Sequence, residues 1–343
     1  MTFPSDPRIA VVGATGAVGR VMLNILAERR FPASEVIAFA SARSEGQKVP
    51  FGDDFLTVRV LDQTAFEGVD LVVLDTPDEV AELVAPQAVA AGAVVIDKSA
   101  AFRMRPEVPL VIPEVNPESV RGHRGIISSP NCTTVGVVMP LAPLHRRFGL
   151  TRAIVSSYQA TSGAGRGGVE ELHEQVLKLV SEVEALSAGG GESLAPKPAL
   201  FAAPIAFNIL PQIGSLRDGG FSSEEEKLTL ESRKIMGLPD LAVTATCVRV
   251  PTVTGHGASV YVEFAEAVDV DEALEILAGS PGVEVDELPN PLQAAGTDSC
   301  YVGRIRQNPS DPNSLCFFTV TDNLRKGAAL NAVQIAELLL PPA

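Results

Sequence analysis

A glycine-rich turn near the start of the chain constrains the fold more than any other feature. An apolar, β-branched run at residues 9–12 ends at GATGAVG, which spans residues 13–19, and a helical apolar pattern follows over 21–26. Strand, glycine turn and helix in this order are typical of a dinucleotide-binding unit, because glycine lets the backbone approach a pyrophosphate at a helix N-terminus. An ordinary βα turn is the alternative. The turn predicts cofactor contacts from Gly13, Thr15, Gly16, Ala17 and Val18.

Strand and helix patterns alternate through the first third of the chain. Residues 36–40, 71–74 and 94–96 predict strands, and residues 79–91 predict a helix. Such alternation favours an α/β class with a parallel, doubly wound sheet of the Rossmann type. The sequence therefore predicts a dinucleotide-binding domain over residues 1–131.

The pattern changes after residue 131. Strands and long helices no longer alternate, which predicts an α+β domain over 132–320 that carries catalysis and dimerisation. A glycine-rich stretch at 188–191 predicts a surface loop. The amphipathic pattern of 326–340 predicts a helix through which 321–343 return to the first domain.

Composition excludes several classes of protein. The 343 residues suffice for roughly two domains. A net charge of −15 disfavours binding to nucleic acid or to an anionic membrane surface. The first residues lack the basic and apolar pattern of a leader, and no apolar window is long enough for a membrane span. The four cysteines form no CxxC pair, so we expect no metal site and no disulfide framework, and a cytoplasmic location.

The loop after the second strand indicates the nucleotide. NAD sites usually carry an acidic residue there, whereas this chain has Ser41, Ala42, Arg43 and Ser44 before the first acid, Glu45. Arg43 can bind a 2′-phosphate, which favours NADP, with Ser41 and Ser44 as further contacts. A solvated loop arginine is the alternative.

Cys132 is the candidate nucleophile. It follows Pro130 and Asn131 and begins an apolar helical pattern, and a helix N-terminus lowers the pKa of a thiol. A buried structural cysteine is the alternative, and it is our interpretation of Cys247, Cys300 and Cys316.

His256 is the best acid/base candidate among the four histidines. It lies in Thr254-Gly255-His256-Gly257, a glycine-flanked loop predicted between two strands, which can aim a side chain into a cleft. The contexts of His123, His145 and His173 predict solvated side chains.

Taken together, these motifs resemble the aspartate-β-semialdehyde dehydrogenase family over nearly the whole chain. The motifs that carry the resemblance are GATGAVG at 13–19, SARS at 41–44, SAAFRM at 99–104, SPNCTT at 129–134, YQATSGAG at 158–165, FNILPQ at 207–212, EEEK at 224–227, CVRVP at 247–251 with His256, and DNLRKGAA at 322–329.

The resemblance implies a reaction and roles for individual residues. Cys132 would attack β-aspartyl phosphate to form a thioester that NADPH reduces to aspartate semialdehyde, in lysine, threonine and methionine biosynthesis. Gln159 would orient the acyl group, and His256 would be the acid/base. Asn131 would belong to the substrate site, and Ser162, Gly163 and Asn323 to the cofactor site. A homodimer or a dimer of dimers is the expected assembly.

The resemblance also implies a charged substrate site. Arg249 would hold the substrate carboxylate as a bidentate fork. Arg103 and Lys227 would bind the phosphate, and Glu224 the amino group, with Glu225 as the alternative. Without the resemblance, the 224–227 run would read as a solvated helix start.

Two turns depart from the family pattern. Asp75-Thr76-Pro77 follows the strand at 71–74, and Asp97-Lys98-Ser99-Ala100 precedes Phe102. A carboxylate at position 75 would oppose a pyrophosphate and Lys98 could offset it, so the sequence leaves the cofactor contacts of both turns open and we assign no cofactor residue to them.

Three rival interpretations are weaker. N-acetyl-glutamyl-phosphate reductases usually have Asn-Pro-Gly-Cys at the nucleophile, where this chain has Pro130-Asn131-Cys132. In glyceraldehyde-3-phosphate dehydrogenases the cysteine is usually followed by Thr-Thr-Asn, whereas Val135 follows Thr134 here. An inactive Rossmann-like assembly protein is disfavoured by the joint presence of Cys132, Gln159, Arg249 and His256.

Overall fold

The first sheet of the structure, a computed structural model that describes residues 3–342, contains five parallel strands. Its order is β2-β1-β5-β6-β7. The strands are β1 (Arg8–Val12), β2 (Glu35–Phe39), β5 (Leu71–Leu74), β6 (Val94–Asp97) and β7 (Ile126–Ser128), and a separate hairpin joins β3 (Lys48–Phe51) to β4 (Asp54–Thr57). Helices α1 (Ala17–Glu28) and α2 (Asp78–Ala90) and the 3-10 turns Ala42–Ser44 and Pro117–Gly122 complete this part.

The register of this sheet brings the turns that carry chemistry to one edge. Leu74 lies opposite both Val12 and Asp97, and Asp97 lies opposite Ser128. The glycine turn, the turn after β5, the turn after β6 and the segment that leads to Cys132 therefore follow one another along the carboxyl edge. Ligands of open α/β sheets bind at this edge.

The second sheet has six strands, in the order β11-β12-β13-β10-β8-β9. Its strands are β8 (Leu150–Gln159), β9 (Ala242–Arg249), β10 (His256–Phe264), β11 (Val283–Val285), β12 (Cys300–Asn308) and β13 (Asp311–Thr321). The helices of this part are α3 (Cys132–Phe148), α4 (Arg166–Leu179), α5 (Val183–Ala185), α6 (Gly191–Leu194), α7 (Ser223–Met236), α8 (Val270–Ala278) and α9 (Pro291–Ala294), with 3-10 turns at Thr161–Ala164 and Val180–Glu182. Helices α3, α7 and α8 contribute to the apolar core on one face of this sheet.

The C-terminal segment packs against the first sheet. A π-helical turn, Arg325–Ala329, leads into α10 (Leu330–Glu337), and residues of both join the core formed by β1, β5 and α1. The fully buried Lys326 donates to Glu114 at 2.7 Å and to Gln334 at 2.7 Å. A buried ammonium requires such pairing, so this contact fixes the position of the C-terminal segment.

The predicted fold class is confirmed: a parallel nucleotide-binding sheet precedes a mixed α+β part. One local prediction was right only in part. Residues 188–191 lie at the surface, but they form a kink between two short helical segments, where Gly189 has φ 95°, rather than an extended loop. Another local prediction was wrong. His256 lies not in a loop but at the first position of β10, where it pairs with Gln159 and Thr321. No helix within residues 3–342 is long and apolar enough to cross a membrane.

Candidate active site

Cys132 occupies the first position of α3. The side chain of Asn131 caps this helix, since its Oδ1 accepts from the N–H groups of Thr133 at 2.8 Å and Thr134 at 3.4 Å. The π-helical turn packs directly on the cysteine, because a Cβ added to Gly327 would lie 2.9 Å from Cβ of Cys132. The backbone on both sides therefore fixes the thiol in place.

Glu224 brings three of the predicted site residues together. Its Oε1 accepts from the side-chain amides of Asn131 at 2.9 Å and Gln159 at 3.0 Å, and its Oε2 lies 3.6 Å from Nζ of Lys227. Ser157 in turn donates to Oε1 of Gln159 at 2.8 Å, which sets the orientation of that amide. Asn131, Gln159 and Lys227, three residues predicted for the substrate site, thus meet at Glu224 next to Cys132.

Glu225 has a different task from Glu224. It forms a capping box with Ser222 at the start of α7 and accepts from the backbone N–H of Cys247 at 2.9 Å. Both of its oxygens are engaged in structural contacts, so the geometry favours Glu224 as the site carboxylate.

Sequence reasoning missed Glu231. This carboxylate, 1% exposed, binds Nη1 of Arg103 at 2.9 Å and accepts from the backbone N–H of Asn131 at 2.7 Å. Arg103 donates further to the carbonyls of Ser129 at 3.0 Å and Lys98 at 2.5 Å. Glu231 follows Glu224 by seven residues, which places both on one face of α7, and this spacing was the available signal.

Arg249 and His256 meet at Gly163. Arg249, at the end of β9, donates to the carbonyl of Ala160 at 2.6 Å, and its guanidinium lies 6.0 Å from the ring centre of Phe201. A Cβ on Gly163 would lie 2.7 Å from Nη1 of Arg249 and 3.0 Å from Nε2 of His256. Gly163 therefore permits the close approach of these two side chains rather than only serving the cofactor.

The electrostatics of Cys132 differ from the sequence expectation. Burial, together with the Glu224 carboxylate, raises the pKa of the Cys132 thiol, whereas Lys98, Arg249 and Arg103 oppose that rise. The direction of this shift is opposite to the lowering of the thiol pKa that the sequence predicted, because burial is its largest cause. The charges of these three cations nevertheless favour the thiolate form of Cys132.

His256 is neutral in this environment. Burial and the neighbouring Arg249 lower its pKa to about 3. Its Nδ1 accepts from the backbone N–H of Ala160 at 3.0 Å, and its Nε2 has no hydrogen-bond partner among residues 3–342. The proton of the neutral ring is therefore on Nε2, a buried hydrogen-bond donor that lies next to Gly163.

Predicted cofactor residues from the two halves of the chain line one groove. This groove of about 290 Å³ lies between Thr15 and Ala17 at the start of α1 and Ser162 in the second part. The side-chain amide of Asn323 donates from Nδ2 to Oγ of Ser162 at 3.0 Å, and its Oδ1 accepts from the backbone N–H of Gly255 at 2.8 Å. The groove therefore brings predicted cofactor residues of the glycine turn next to one from the second part of the chain.

The N–H groups of two glycines in the turn are used in hydrogen bonds within the protein. The N–H of Gly13 bonds to Phe39 at 2.9 Å and that of Gly16 bonds to Gly13 at 2.9 Å. Helix α1 begins at Ala17, so the N–H groups of Ala17 and Val18 have no acceptor in the preceding turn of the helix. These positions, with Thr15, remain the candidate phosphate donors.

The second loop of the cofactor site lies beside the first. The hydroxyls of Ser44 and Thr15 are 3.4 Å apart, and Ser41 and Arg43 are exposed next to them. Asp75 also reaches the glycine turn, with Oδ2 3.5 Å from a Cβ built on Gly16. Burial raises the pKa of Asp75, and Lys98 opposes that rise.

The remaining cysteines lie outside this site. Cys247 and Cys300 are buried in β9 and β12, and burial raises the pKa of each thiol to about 12, as suits structural cysteines. Cys316 is half-buried in β13. The part of the chain that the structure describes holds no cluster of three or more His, Cys, Asp or Glu side chains arranged for a metal ion.

Two of the other histidines are not simply solvated, contrary to expectation. His145 accepts from the N–H of Leu150 at 3.0 Å and His123 from that of Gly125 at 3.2 Å, and both rings are half-buried. His173 is exposed, as predicted.

Fold and site together define a semialdehyde dehydrogenase. The chain matches the family described as "Semialdehyde dehydrogenase, NAD binding domain" over residues 8–123 and the one described as "Semialdehyde dehydrogenase, dimerisation domain" over residues 141–326. Within this class, the chain belongs to the aspartate-semialdehyde dehydrogenase family.

The relatives that show this membership align end to end with the chain. It is 48% identical to the aspartate-semialdehyde dehydrogenase of Streptomyces akiyoshiensis, over 97% of this chain and 98% of the relative. It is 47% identical to that of Mycolicibacterium smegmatis, over 96% and 98%. Among solved structures, aspartate semialdehyde dehydrogenase II of Vibrio cholerae, complexed with ASA, superposes with a TM-score of 0.91 at 37% identity, over 98% and 99% of the two chains.

Proposed function

We propose that this protein reduces β-aspartyl phosphate to aspartate semialdehyde with NADPH, through a thioester on Cys132. The observation that carries the proposal is the position of Glu224. Its carboxylate contacts Asn131, the neighbour of the nucleophile, and Gln159 in one buried network. An acceptor for an α-amino group thus lies beside a thiol and an acyl-orienting amide.

Substrate recognition follows from the charges of the pocket. Glu224 receives the α-amino group, and Arg249 binds the α-carboxylate. Burial lowers the pKa of Arg249, and Glu224 and Cys132 oppose this effect. The α-carboxylate of the substrate would add a second negative charge, after that of Glu224, and so stabilise the charged guanidinium. Arg103 and Lys227 bind the phosphate.

The residues of the chain divide the chemistry among them. The thiolate of Cys132, favoured by its three neighbouring cations, attacks the acyl carbon, and the bond to phosphate then breaks as phosphate leaves with the electron pair. Gln159 holds the acyl group in line with the sulfur. NADPH, when bound, would supply the hydride that reduces this thioester. The carbon–sulfur bond then breaks, the thiolate of Cys132 leaves with the electron pair, and the aldehyde forms.

His256 acts in this scheme as a neutral donor. Since its pKa is about 3, it is not an imidazolium at neutral pH, and its Nε2–H stabilises negative charge on the reacting oxygen. A neutral imidazole can serve as an electrophile in this way. The sequence predicted an acid/base role for His256, and we propose that this role consists of hydrogen-bond donation from Nε2.

The cofactor is NADP, bound between the glycine turn and Ser162, Gly163 and Asn323. The family's NAD-binding domain supports a nicotinamide cofactor. Arg43 beside the glycine turn, with Ser41 and Ser44, supports recognition of the 2′-phosphate. The whole reaction belongs to the biosynthesis of lysine, threonine and methionine.

The assembly is a homodimer formed through the open face of the second sheet. This face carries partly exposed apolar side chains on neighbouring strands, with Ile154 at 43% and Tyr158 at 39% exposure. Tyr158 packs against Phe318 at 5.9 Å, and Tyr261 pairs with both Ile154 and Cys316. The dimerisation family covers all of these strands.

We place the two tasks in two parts of the chain. Residues 1–131 with 321–343 bind the dinucleotide, and residues 132–320 carry catalysis and dimerisation. Because Cys132 must stay reduced to act as a nucleophile, we place the enzyme in the reducing cytoplasm.

The reverse reaction tests the function. The protein is mixed with aspartate semialdehyde, inorganic phosphate and NADP, and the absorbance of NADPH is followed. We expect reduction that requires all three components. Reduction with N-acetyl-glutamate semialdehyde or glyceraldehyde-3-phosphate in place of aspartate semialdehyde, but not with the latter, would overturn the proposal.

A further inference from the structure

Lys98 is a cation of the site to which the proposed mechanism gives no role. Three other cations there are already engaged: Arg103 with Glu231 at 2.9 Å, Lys227 with Glu224 at 3.6 Å, and Arg249 with a backbone carbonyl at 2.6 Å. Within residues 3–342, the ammonium of Lys98 has no ion pair within 4.0 Å and no hydrogen bond, although its side chain is half-buried.

The backbone places Lys98 between the glycine turn and the nucleophile. Its N–H donates to Leu74 in β5 at 3.0 Å, and its carbonyl accepts from Nη2 of Arg103 at 2.5 Å. On its other side, Ser129 donates to the carbonyl of Asp97 at 2.8 Å, three residues before Cys132. Lys98 therefore projects from the carboxyl edge of the sheet beside the phosphate-binding Arg103.

The charges that face Lys98 come from each neighbouring turn. They are Asp75 after β5, Arg103, Cys132 at the start of α3, and Asp97 on its own strand. Burial, together with the neighbouring Arg103, lowers the pKa of the Lys98 ammonium, and Asp75, Cys132 and Asp97 counter this effect. An anion bound beside Lys98 and Arg103 would favour the charged form of the lysine and offset the repulsion between the two cations.

The proposed reaction needs such a cation. The departing phosphate takes the electron pair of the acyl–oxygen bond and so gains negative charge as it leaves. Arg103 and Lys227 are each already paired with a carboxylate, which reduces the positive charge they present to it. The ammonium of Lys98 has no partner carboxylate within 4.0 Å among residues 3–342, so it presents more positive charge to the departing phosphate.

We infer that Lys98, with Arg103, binds the phosphoryl group of the acyl phosphate and the inorganic phosphate that leaves it. This inference rests on the proposed function and adds a residue to its phosphate site. The pyrophosphate of the cofactor presents the same chemistry from the other side. Asp75 lies on that side, with its carboxylate against Gly16, and reduces the attraction of the lysine for it.

Substitution of Lys98→Met tests the inference, with Lys178→Met on the exposed face of α4 as the matched control. In the reverse reaction we expect the KM for inorganic phosphate to rise by about 10- to 100-fold, the effect of losing a charge-assisted contact. The Kd for NADP and the KM for the aldehyde should stay close to those of the wild type.

A second measurement does not depend on turnover. Inorganic phosphate should protect Cys132 of the wild type and of the control from alkylation by iodoacetamide. In Lys98→Met, the phosphate concentration that gives the same protection should be higher by about tenfold or more. Phosphate dependence that is unchanged in both measurements would overturn the inference. A weaker Kd for NADP with unchanged phosphate dependence would assign Lys98 to the cofactor and also overturn it.

Failure of the proposed function would be visible separately. It would appear in the wild type, as a lack of NADP reduction with aspartate semialdehyde and phosphate. The protection experiment would still report whether phosphate binds beside Cys132 through Lys98.

Discussion

The backbone N–H of Ala160 donates to Nδ1 of His256 at 3.0 Å. This bond fixes the ring in the tautomer that carries its proton on Nε2, next to Gly163 and Arg249. In the proposed mechanism His256 therefore acts as a hydrogen-bond donor and not as the base that ionises Cys132. The cations around the sulfur must then supply the stabilisation of the thiolate.

The low pKa of His256 predicts a loss of stability in mild acid. The folded ring has a pKa of about 3, against an ordinary value of 6.5, so between these values the unfolded chain binds more protons and stability falls as pH falls. From pH 7 to pH 5 we expect His256 to contribute a loss of about 2 kcal/mol in the free energy of unfolding. Urea denaturation at one protein concentration measures it.

His256→Gln should lose this part of the acid sensitivity, because glutamine does not titrate. His173→Gln, on the exposed surface of α4, should retain it. If the two variants and the wild type lost the same stability between pH 7 and pH 5, the assignment of a neutral, buried His256 would be wrong.

Gly163→Ala should damage substrate binding and chemistry together. The added Cβ would lie 2.7 Å from Arg249 and 3.0 Å from His256, so one or both side chains must move. A displacement of about 1 Å can cost on the order of 100-fold in rate. We expect a higher KM for aspartate semialdehyde and a lower kcat in steady-state assays.

Gly122→Ala provides the control for this change, since nothing lies within 4 Å of a Cβ at that position. Its kinetics should match the wild type. Wild-type kinetics of Gly163→Ala as well would show that Arg249 and His256 do not depend on the close approach.

Arg43→Ala should weaken NADPH binding by about 10- to 100-fold, because a charge-assisted contact to the 2′-phosphate is lost. Binding of NADH, which lacks this phosphate, should barely change. Fluorescence titration with both cofactors measures the two affinities. Equal losses for the two cofactors would mean that Arg43 only supports the loop.

Arg249→Lys should raise the KM for aspartate semialdehyde while the Kd for NADP stays constant. Lysine keeps the charge but lacks the planar fork that binds a carboxylate with two hydrogen bonds while also reaching the carbonyl of Ala160. Steady-state kinetics and a cofactor titration test this together. An unchanged KM would show that Arg249 does not bind the substrate carboxylate.

The sequence was most informative where local chemistry determines structure. The glycine turn predicted the first βα unit, and Asn131 at the start of an apolar pattern predicted the helix that begins at Cys132. Contacts between distant segments were not predictable in this way. Glu231 meets Arg103 across 128 positions, and Lys326 meets Glu114 across 212.

The pKa shifts of the site residues also could not be predicted from the sequence pattern. A helix N-terminus is a local feature, whereas the burial that raises the pKa of Cys132 and lowers that of His256 depends on the packing of several segments. The choice between Glu224 and Glu225 likewise needed the structure, because only the fold shows which of the adjacent carboxylates accepts from Cys247.

The covalent intermediate on Cys132 tests the central claim most directly. The protein is mixed with β-aspartyl phosphate in the absence of NADPH, quenched in acid within the first turnover, digested and analysed by mass spectrometry. We expect the mass of the aspartyl group on the peptide that contains Cys132, and its absence in Cys132→Ser under the same conditions. A lack of any adduct, or an adduct on Cys247, Cys300 or Cys316, would contradict the proposed mechanism.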